Sequence, residues 1–333
     1  KHRQQYPVIF MSLKSAKQDS YDMAYASLID EICKEFQRHS YVLQNKMPVR
    51  SREIFERIVL GRGSKEEYGK ALGFLSECLS RYHGHNTFIL IDEYDVPLEN
   101  AYLHGFYDNM IGFIRSLFES ALKTNPYLEK GIITGCLRIS KESVFTGLNN
   151  LAVESMLSMN YPGAFGFTEP EVKAMMEYFD RADQYPELKK WYDGYCLGEC
   201  HIYNPIAVVN LVTKGKFKSY WSETASYDVI VPLINMNYDG LKTAIIEMLS
   251  GGEVKVNTAT FKNDTVNIQS KDDVLTYMIH LGYLGYDQNR KTAFVPNEEI
   301  RQELTLAVES KHWNEMLLFQ QESEKLLNAT LDM

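Results

Sequence analysis

Thr87-Phe88-Ile89-Leu90-Ile91-Asp92-Glu93-Tyr94-Asp95 is the stretch that decides the fold class. A continuous apolar run ends abruptly in acids. Continuity, rather than alternation, predicts a strand buried on both faces, as at the centre of a parallel sheet. Upstream, Pro7-Val8-Ile9-Phe10-Met11-Ser12-Leu13 predicts a second buried strand, and downstream Gly131-Ile132-Ile133-Thr134 a third. Helical spacing fills the intervals. Asp19 or Ser20 caps a helix carrying Met23, Leu28, Ile29, Ile32 and Phe36, and residues 37–52 read as a loop before a short helix over 53–60. A longer helix is expected over 65–82, with Leu72, Leu75 and Leu79 on one stripe. The next, over 106–123, turns Met110, Phe113, Ile114, Leu117 and Ala121 inward. Strand and helix in alternation predict an open parallel α/β sheet.

Length and composition set the frame around this core. A chain of 333 residues implies about two domains at roughly 150 residues each. Hydrophobic residues at 45% and charged residues at 24% exclude disorder, collagen-like repeats and coiled-coil composition for the bulk of the chain. The formal charge of -9, from 44 acidic and 35 basic residues, argues against nucleic-acid binding by the whole surface. No segment approaches the roughly 20 apolar residues that span a bilayer, so no membrane association is expected. Five cysteines, an odd number set mostly in apolar patterns, fit a reducing cytoplasm without a disulfide framework.

After Asn150 helices dominate. Thr168-Glu169-Pro170-Glu171 is a capping box that opens a helix with Val172, Met175, Met176 and Phe179. A Gly- and Tyr-rich turn is expected over 191–203. Gly251-Gly252 then punctuates the chain, and Val254 and Val256 alternate as a short strand. Ser270 begins a helix, two short strands follow over 283–287 and 292–295, and Pro296 precedes a long amphipathic helix. That order is compatible with a winged-helix arrangement.

Apolar residues followed by Asp92-Glu93 form the Walker B pattern of P-loop ATPases. A buried parallel strand delivers both carboxylates rigidly to the carboxyl edge of the sheet, where ligands of open α/β folds sit. The first acid suits Mg²⁺, directly or through water, and the second suits polarisation of an attacking water. The plainer reading, acids capping the turn after a strand, is equally compatible with this motif taken alone.

The segments around the motif resemble a prokaryotic AAA-ATPase-like family. They are Ile91-Asp92-Glu93-Tyr94-Asp95-Val96-Pro97-Leu98, Thr134-Gly135-Cys136-Leu137-Arg138-Ile139-Ser140-Lys141-Glu142-Ser143 and Gly147-Leu148-Asn149-Asn150-Leu151. Phe165-Gly166-Phe167-Thr168, Trp191-Tyr192-Asp193-Gly194-Tyr195, Tyr203-Asn204-Pro205 and Tyr220-Trp221 continue the resemblance. Leu281-Gly282-Tyr283-Leu284 and Val295-Pro296-Asn297-Glu298-Glu299 complete it. The resemblance implies an ATP-binding, ATP-hydrolysing switch or motor module with ATP and Mg²⁺ as cofactors. Asp92 would then hold Mg²⁺ through the nucleotide, Glu93 would face the attacking water, and Thr134 would sense the γ-phosphate. Arg138 would approach a phosphate in cis or in a neighbouring subunit; a salt bridge to Glu142 is its competing reading. Nucleotide is the expected partner, with a partner protein or homo-oligomer as a further expectation; nucleic acid is not supported by the net charge.

Two features depart from the family. Members begin with a P-loop, whose backbone N–H groups and lysine cradle phosphates, and this sequence shows none. The nearest stretch, Gly63-Ser64-Lys65 through Gly69-Lys70-Ala71, fails the spacing and sits in a helical pattern. The chain opens on Lys1, so an upstream strand is expected to fill a slot between the Asp92 strand and the Thr134 strand. Many members also continue into a restriction-endonuclease-like nuclease domain, and residues 298–333 lack the paired carboxylates and lysine of one.

Lesser candidates favour plain roles. Cys196-Leu197-Gly198-Glu199-Cys200-His201 offers soft ligands at a spacing that is not a standard zinc pair, and no metal is expected there. His83-Gly84-His85 reads as a solvated turn. Lys214, Lys216 and Lys218 beside Tyr220 and Trp221 suit a phosphate backbone or, more commonly, a helix end. The expected organisation is an AAA-ATPase-like α/β core over 1–160, a helical lid region over 161–250 and a winged-helix-like domain over 251–333 with a long C-terminal helix. The alternative function is a nonenzymatic interaction or DNA-binding module on the ATPase scaffold, or the regulatory half of a nuclease.

Overall fold

The computed structural model describes residues 5–136, 151–155, 157, 160–161, 163–197, 200–221, 227–236, 238–259, 261 and 268–309, with the backbone alone at 197, 227–230 and 309. The chain divides into two compact units, the first running through Ala152 and the second beginning at Val153. No helix among the described residues is long and apolar enough to cross a membrane.

The first unit runs β1 (Val8–Ser12), α1 (Tyr21–Arg38), α2 (Val49–Val59), α3 (Lys65–Gly69), α4 (Ala71–His83), β2 (Thr87–Asp92), α5 (Val96–Leu103), α6 (Tyr107–Phe118) and β3 (Leu128–Ile133). All three strands are parallel, in the order β1-β2-β3. The expected α/β class is therefore present as a mixed fold with a parallel sheet. The expected slot between the Asp92 and Thr134 strands is not. Leu90 lies beside Ile132 and Ile91 beside Ile133, so β2 spends both of its edges on β1 and β3. Any further strand in this sheet must pair elsewhere.

The two outer edges differ. On β1 the Phe10 N–H donates to Glu35 Oε1 at 2.8 Å, and Arg38 Nη2 donates to the Val8 carbonyl at 2.8 Å. An ion pair of α1 thus occupies the backbone groups with which another strand would pair, a familiar way of closing an edge. On β3 the residues Glu129, Lys130, Gly131 and Ile132 are all exposed.

Burial on β2 also departs from expectation. Thr87, Ile89 and Ile91 are buried, whereas Phe88 and Leu90 are half-buried. Ile9, Met11, Ile89 and Ile91 join Leu28, Ile32, Leu72, Leu75 and Leu117 in one core, so helices cover that face. On the opposite face Phe10, Leu90 and Ile132 stand side by side across the three strands, with Phe10 50% and Ile132 43% exposed. The apolar run was legible; its second cover is absent among the described residues.

Ser20 caps α1 through the Met23 N–H, as expected, although Met23 itself faces solvent. The helix expected over 65–82 breaks into α3 and α4 at Lys70. Gly69 and Gly73 explain the close packing here: a Cβ on Gly69 would meet the Ser116 hydroxyl at 2.6 Å, and one on Gly73 the Ser120 carbonyl at 2.5 Å. Helix 49–59 starts earlier than the expected 53, within the stretch read as loop.

The second unit contains β4 (Phe167–Thr168), α7 (Glu169–Tyr178), α8 (Tyr185–Tyr192), β5 (Tyr195–Leu197), β6 (Cys200–Tyr203), α9 (Pro205–Lys214), α10 (Tyr227–Ile234) and α11 (Leu241–Leu249). It continues with β7 (Val254–Lys255), α12 (Lys271–His280), β8 (Gly285–Asp287), β9 (Thr292–Phe294) and α13 (Glu298–Glu309). The capping box at Thr168 and the Ser270 cap both form. Two antiparallel sheets occur, β4-β6-β5 and β7-β9-β8. The first corrects the simple turn expected over 191–203: cross-strand pairing of Tyr195 with Ile202 and Phe167 with Tyr203 makes that segment a hairpin joined by a third strand.

Several motifs of the second unit interlock. Gly194, at φ +107°, leaves no room for a Cβ against the Pro296 carbonyl. Asn297 Nδ2 donates to the Asp193 carbonyl at 2.8 Å, and the Tyr195 hydroxyl donates to the Gly282 carbonyl at 2.6 Å. Segments distant in sequence are therefore held together by buried hydrogen bonds, a structural use of residues that the motif reading left unexplained.

Candidate functional site

The carboxyl edge of the parallel sheet gathers Asp92, Glu93 and Thr134. Asp92 ends β2, and Thr134 follows directly after β3, its N–H donating to the Ile91 carbonyl at 2.8 Å. The Thr134 hydroxyl donates to Asp92 Oδ1 at 2.6 Å, a short, charge-assisted bond. The Glu93 N–H donates to the same oxygen at 3.0 Å. The first carboxylate is thus held from two sides and its rotamer is set before any ligand arrives.

Glu93 is held differently. Its φ is +54°, in the left-handed region that costs a side-chain-bearing residue roughly 1–2 kcal/mol. Its buried Oε2 has no hydrogen-bond partner among the described residues. Strain and an unsatisfied carboxylate oxygen on one residue are features that concentrate at functional sites. The turn after Glu93 is closed by α5. The Leu98 and Glu99 N–H groups donate to the Asp95 carbonyl, and Asn100 Nδ2 donates to the Gln18 carbonyl in the segment after β1.

Gly135 and Ser12 complete the edge, and the sequence reading had assigned neither to the site. A Cβ on Gly135 would meet Asp95 Oδ1 at 2.6 Å and the Tyr94 ring at 2.7 Å, so only glycine lets the Thr134 strand end pass the β2 turn so closely. Ser12 is the register partner of Asp92 on β1. A glycine directly after Thr134 and a serine ending an apolar strand were the available signals. Cys136 is exposed at the same edge. Crowding by the surrounding chain, then the carboxylates of Asp95, Glu99, Glu93 and Asp92, push its thiol up to about 11. The edge is therefore strongly electronegative and suits a cation. Arg138 lies outside the described residues.

The donor set fits Mg²⁺ only as a shared site. Mg²⁺ characteristically takes one or two carboxylates and completes its shell with water and phosphate oxygens, which matches Asp92 beside the unsatisfied Glu93. Among the described residues no three His, Cys, Asp or Glu side chains converge as a closed metal set.

The other sequence candidates take plain positions. Gly63 to Ala71 builds α3 with a capping box between Ser64 and Glu67, so this stretch is a capped helix start. His83 shares a 3.0 Å hydrogen bond with the Tyr41 hydroxyl, and Gly84 caps α4 in the left-handed conformation. Lys214 and Lys218 lie over the ring of the buried Tyr220, at 5.5 and 4.9 Å from its centroid. Arg290, in the β8–β9 turn, pairs with Glu253 at 2.6 Å.

An α/β domain with a rigid carboxylate at the carboxyl end of a parallel strand belongs to a broad class of ligand-binding folds. Residues 1–145 match the AAA-ATPase-like family, described as predicted AAA-ATPase, which bears out the resemblance for this part of the chain. An uncharacterized protein in the vnfD 5' region of Azotobacter chroococcum mcd 1 is 30% identical over 152 residues, or 45% of this chain. The match spans 29% of that relative's length. No solved structure gives a significant match.

Proposed function

We propose that this chain is part of an ATP-binding, ATP-hydrolysing switch or motor module, with its nucleotide at the carboxyl edge of β1, β2 and β3. The observation that carries the reading is the 2.6 Å bond from Thr134 to Asp92, beside the strained and partly unsatisfied Glu93. The family matched by residues 1–145 supports it.

Asp92 would hold Mg²⁺ together with phosphate oxygens, and the bound ion would neutralise charge developing on the phosphates. Thr134 keeps Asp92 in one rotamer and sits where its hydroxyl could exchange Asp92 for a γ-phosphate oxygen. Glu93 would accept a hydrogen bond from the attacking water and take its proton. No glycine-rich phosphate cradle stands at this edge among the described residues. The exposed outer edge of β3 is the place in the sheet where a strand delivering one would pair. The lid and winged-helix readings of the second unit belong to this proposal: two antiparallel sheets and their helices would respond to nucleotide state.

The test uses the full-length polypeptide. Glu93→Gln should bind MgATP normally by calorimetry and release phosphate at least about 100-fold more slowly, the usual reach of a general base. Asp92→Asn should instead weaken the Mg²⁺ dependence of binding. Equal phosphate release by wild type and Glu93→Gln would reject the assignment.

A second reading, a nonenzymatic interaction module, is favoured by the row of Phe10, Leu90 and Ile132 on the sheet, which no helix covers among the described residues. It predicts that the full-length polypeptide releases no phosphate above background.

A further inference from the structure

The end of α9 gathers positive charge in a chain whose formal charge is -9. Residues 211–221 carry three lysines and no acid, and Lys214, Lys216 and Lys218 are all exposed. Arg181 joins them: its Nε donates to the Val212 carbonyl at 3.2 Å, and a Cβ on Gly215 would meet its Nη2 at 2.7 Å. Among the described residues Arg181, Lys214 and Lys216 form no ion pair. The half-buried rings of Trp191 and Phe217 stand beside these cations, their centroids 6.2 Å apart, and Trp191 Nε1 donates to Glu187 at 2.9 Å.

We propose that this surface binds a single strand of nucleic acid, with the four cations on its phosphates and Trp191 and Phe217 against its bases. The inference stands apart from the nucleotide reading, since it concerns only the second unit.

Three observations converge. First, the electrostatics of a helix end account for only part of the charge. Arg181 caps a carbonyl of α9 and Lys214 lies in its last turn, where cations suit the macrodipole. Lys216 and Lys218 lie beyond that end, and setting them beside the first two costs repulsion that a polyanion relieves. Second, their backbone is held in place before any partner arrives. The hydroxyl of the fully buried Tyr220 donates to the Lys216 carbonyl at 2.7 Å, and that of the fully buried Tyr192 donates to the Lys218 carbonyl at 2.9 Å. Lys214 and Lys218 lie over the Tyr220 ring, which keeps their ammonium groups close together. Third, the rings select the class of anion. Trp191 and Phe217 pack on the core of this unit yet stay partly open to solvent, and aromatic faces among cations stack bases without regard to sequence. An acidic protein segment would leave the rings unused. A membrane surface calls for protruding apolar side chains, which residues 211–221 do not present.

The experiment measures binding of a fluorescein-labelled oligo(dT) of about 20 nucleotides to the full chain by anisotropy, and follows tryptophan emission with the unlabelled strand. At about 0.7 of a log unit per phosphate neutralised, four cations give a log–log salt slope of about -2.8, or roughly a 50-fold loss of affinity between about 50 and 200 mM salt. Lys214→Gln and Lys216→Gln should each flatten that slope by about 0.7, and Lys216→Arg should restore it. Trp191→Leu should weaken binding at least about fivefold, whereas Trp191→Phe should keep the affinity and lose most of the emission quench that wild type shows. Oligo(U) should bind as well as oligo(dT), since phosphates and base faces are common to both, and a duplex of the same length should bind at least about tenfold more weakly. No binding of oligo(dT) at about 50 mM salt and about 100 μM protein would overturn the proposal. So would a salt slope indifferent to both lysine variants, an emission that the strand does not quench, or a preference for one sugar. Equal affinity for the duplex, for polyglutamate or for phosphatidylserine vesicles would assign the surface to another class of partner and overturn it equally.

Discussion

Thr134 and Asp92 are joined by a 2.6 Å hydrogen bond across two adjacent parallel strands, although 42 residues separate them in sequence. The hydroxyl has one proton, and it is spent on the carboxylate that the proposed mechanism assigns to the metal. Thr134→Val removes that proton without changing volume much. It should cost about 1 kcal/mol of stability, the net worth of such a bond, and lower phosphate release by the full-length polypeptide at least tenfold. Thr134→Ser should restore both. Urea denaturation and a phosphate-release assay on the three proteins check this, and an active Val variant would remove Thr134 from the mechanism.

Glu93 presents a conflict between stability and the proposed activity. At φ +54° glycine is at ease and glutamate is not. Glu93→Gly should therefore raise the unfolding free energy by up to about 1 kcal/mol, after allowance for the greater freedom of glycine in the unfolded chain, while hydrolysis is lost. Glu93→Gln should lose hydrolysis without gaining stability from the backbone. If both variants gain equally, the gain comes from the buried Oε2 charge and not from the turn.

How much of this was legible from the chain differs by residue. Asp92 was, because an apolar run ending in an acid says both what the strand is and where it stops. The strand order was not. Which strand lies beside β2 depends on contacts between residues about 40 positions apart, and local propensity carries no information on them. The need for glycine at 69, 73 and 135 comes from close approaches to Ser116, Ser120 and Asp95, which are tertiary facts. The pairing of Cys196 with His201 became visible only once the hairpin register was known, since a spacing of five residues says nothing until the turn between them is placed. Phe88 and Leu90 misled in the opposite direction: their apolarity predicted a second cover that the described residues do not supply.

Glu35 links the closure of the β1 edge to pH. Burial pulls its carboxyl upward, but hydrogen bonds from His39, Arg38 and the Phe10 N–H outweigh it and hold the group below its ordinary value. A folded-state value below the unfolded one means that the stabilisation is fully present above about 4.5 and is lost as pH falls through the folded value. Glu35→Gln should thus be less stable than wild type at pH 7, by about 1.5–3 kcal/mol, the usual worth of hydrogen bonds to a charged group, yet show a flatter decline between pH 5 and 3. Denaturant midpoints across that range provide the check. Parallel acid limbs in the two proteins would place the titrating group elsewhere.

Glu299 works in the reverse sense. It is almost fully buried near the start of α13, where Oε1 accepts the N–H groups of Tyr220 at 2.7 Å and Trp221 at 2.9 Å. Burial pushes its carboxyl up to about 7, against the lowering effect of those two bonds and with a further rise from Glu303 one turn along. Since the folded state holds this proton more tightly than the unfolded chain, stability is greatest below about 4.5 and declines as pH rises from there to about 7. Glu299→Gln keeps an oxygen that can accept both N–H groups and removes the charge. The variant should match wild type at pH 4.5 and exceed it at pH 8, by at most about 3 kcal/mol, the limit set by a shift of this size. Thermal unfolding at the two pH values decides the matter. A Gln variant less stable than wild type at pH 8 would mean that the charged carboxylate, not its oxygen alone, is what holds Tyr220 and Trp221 against α13.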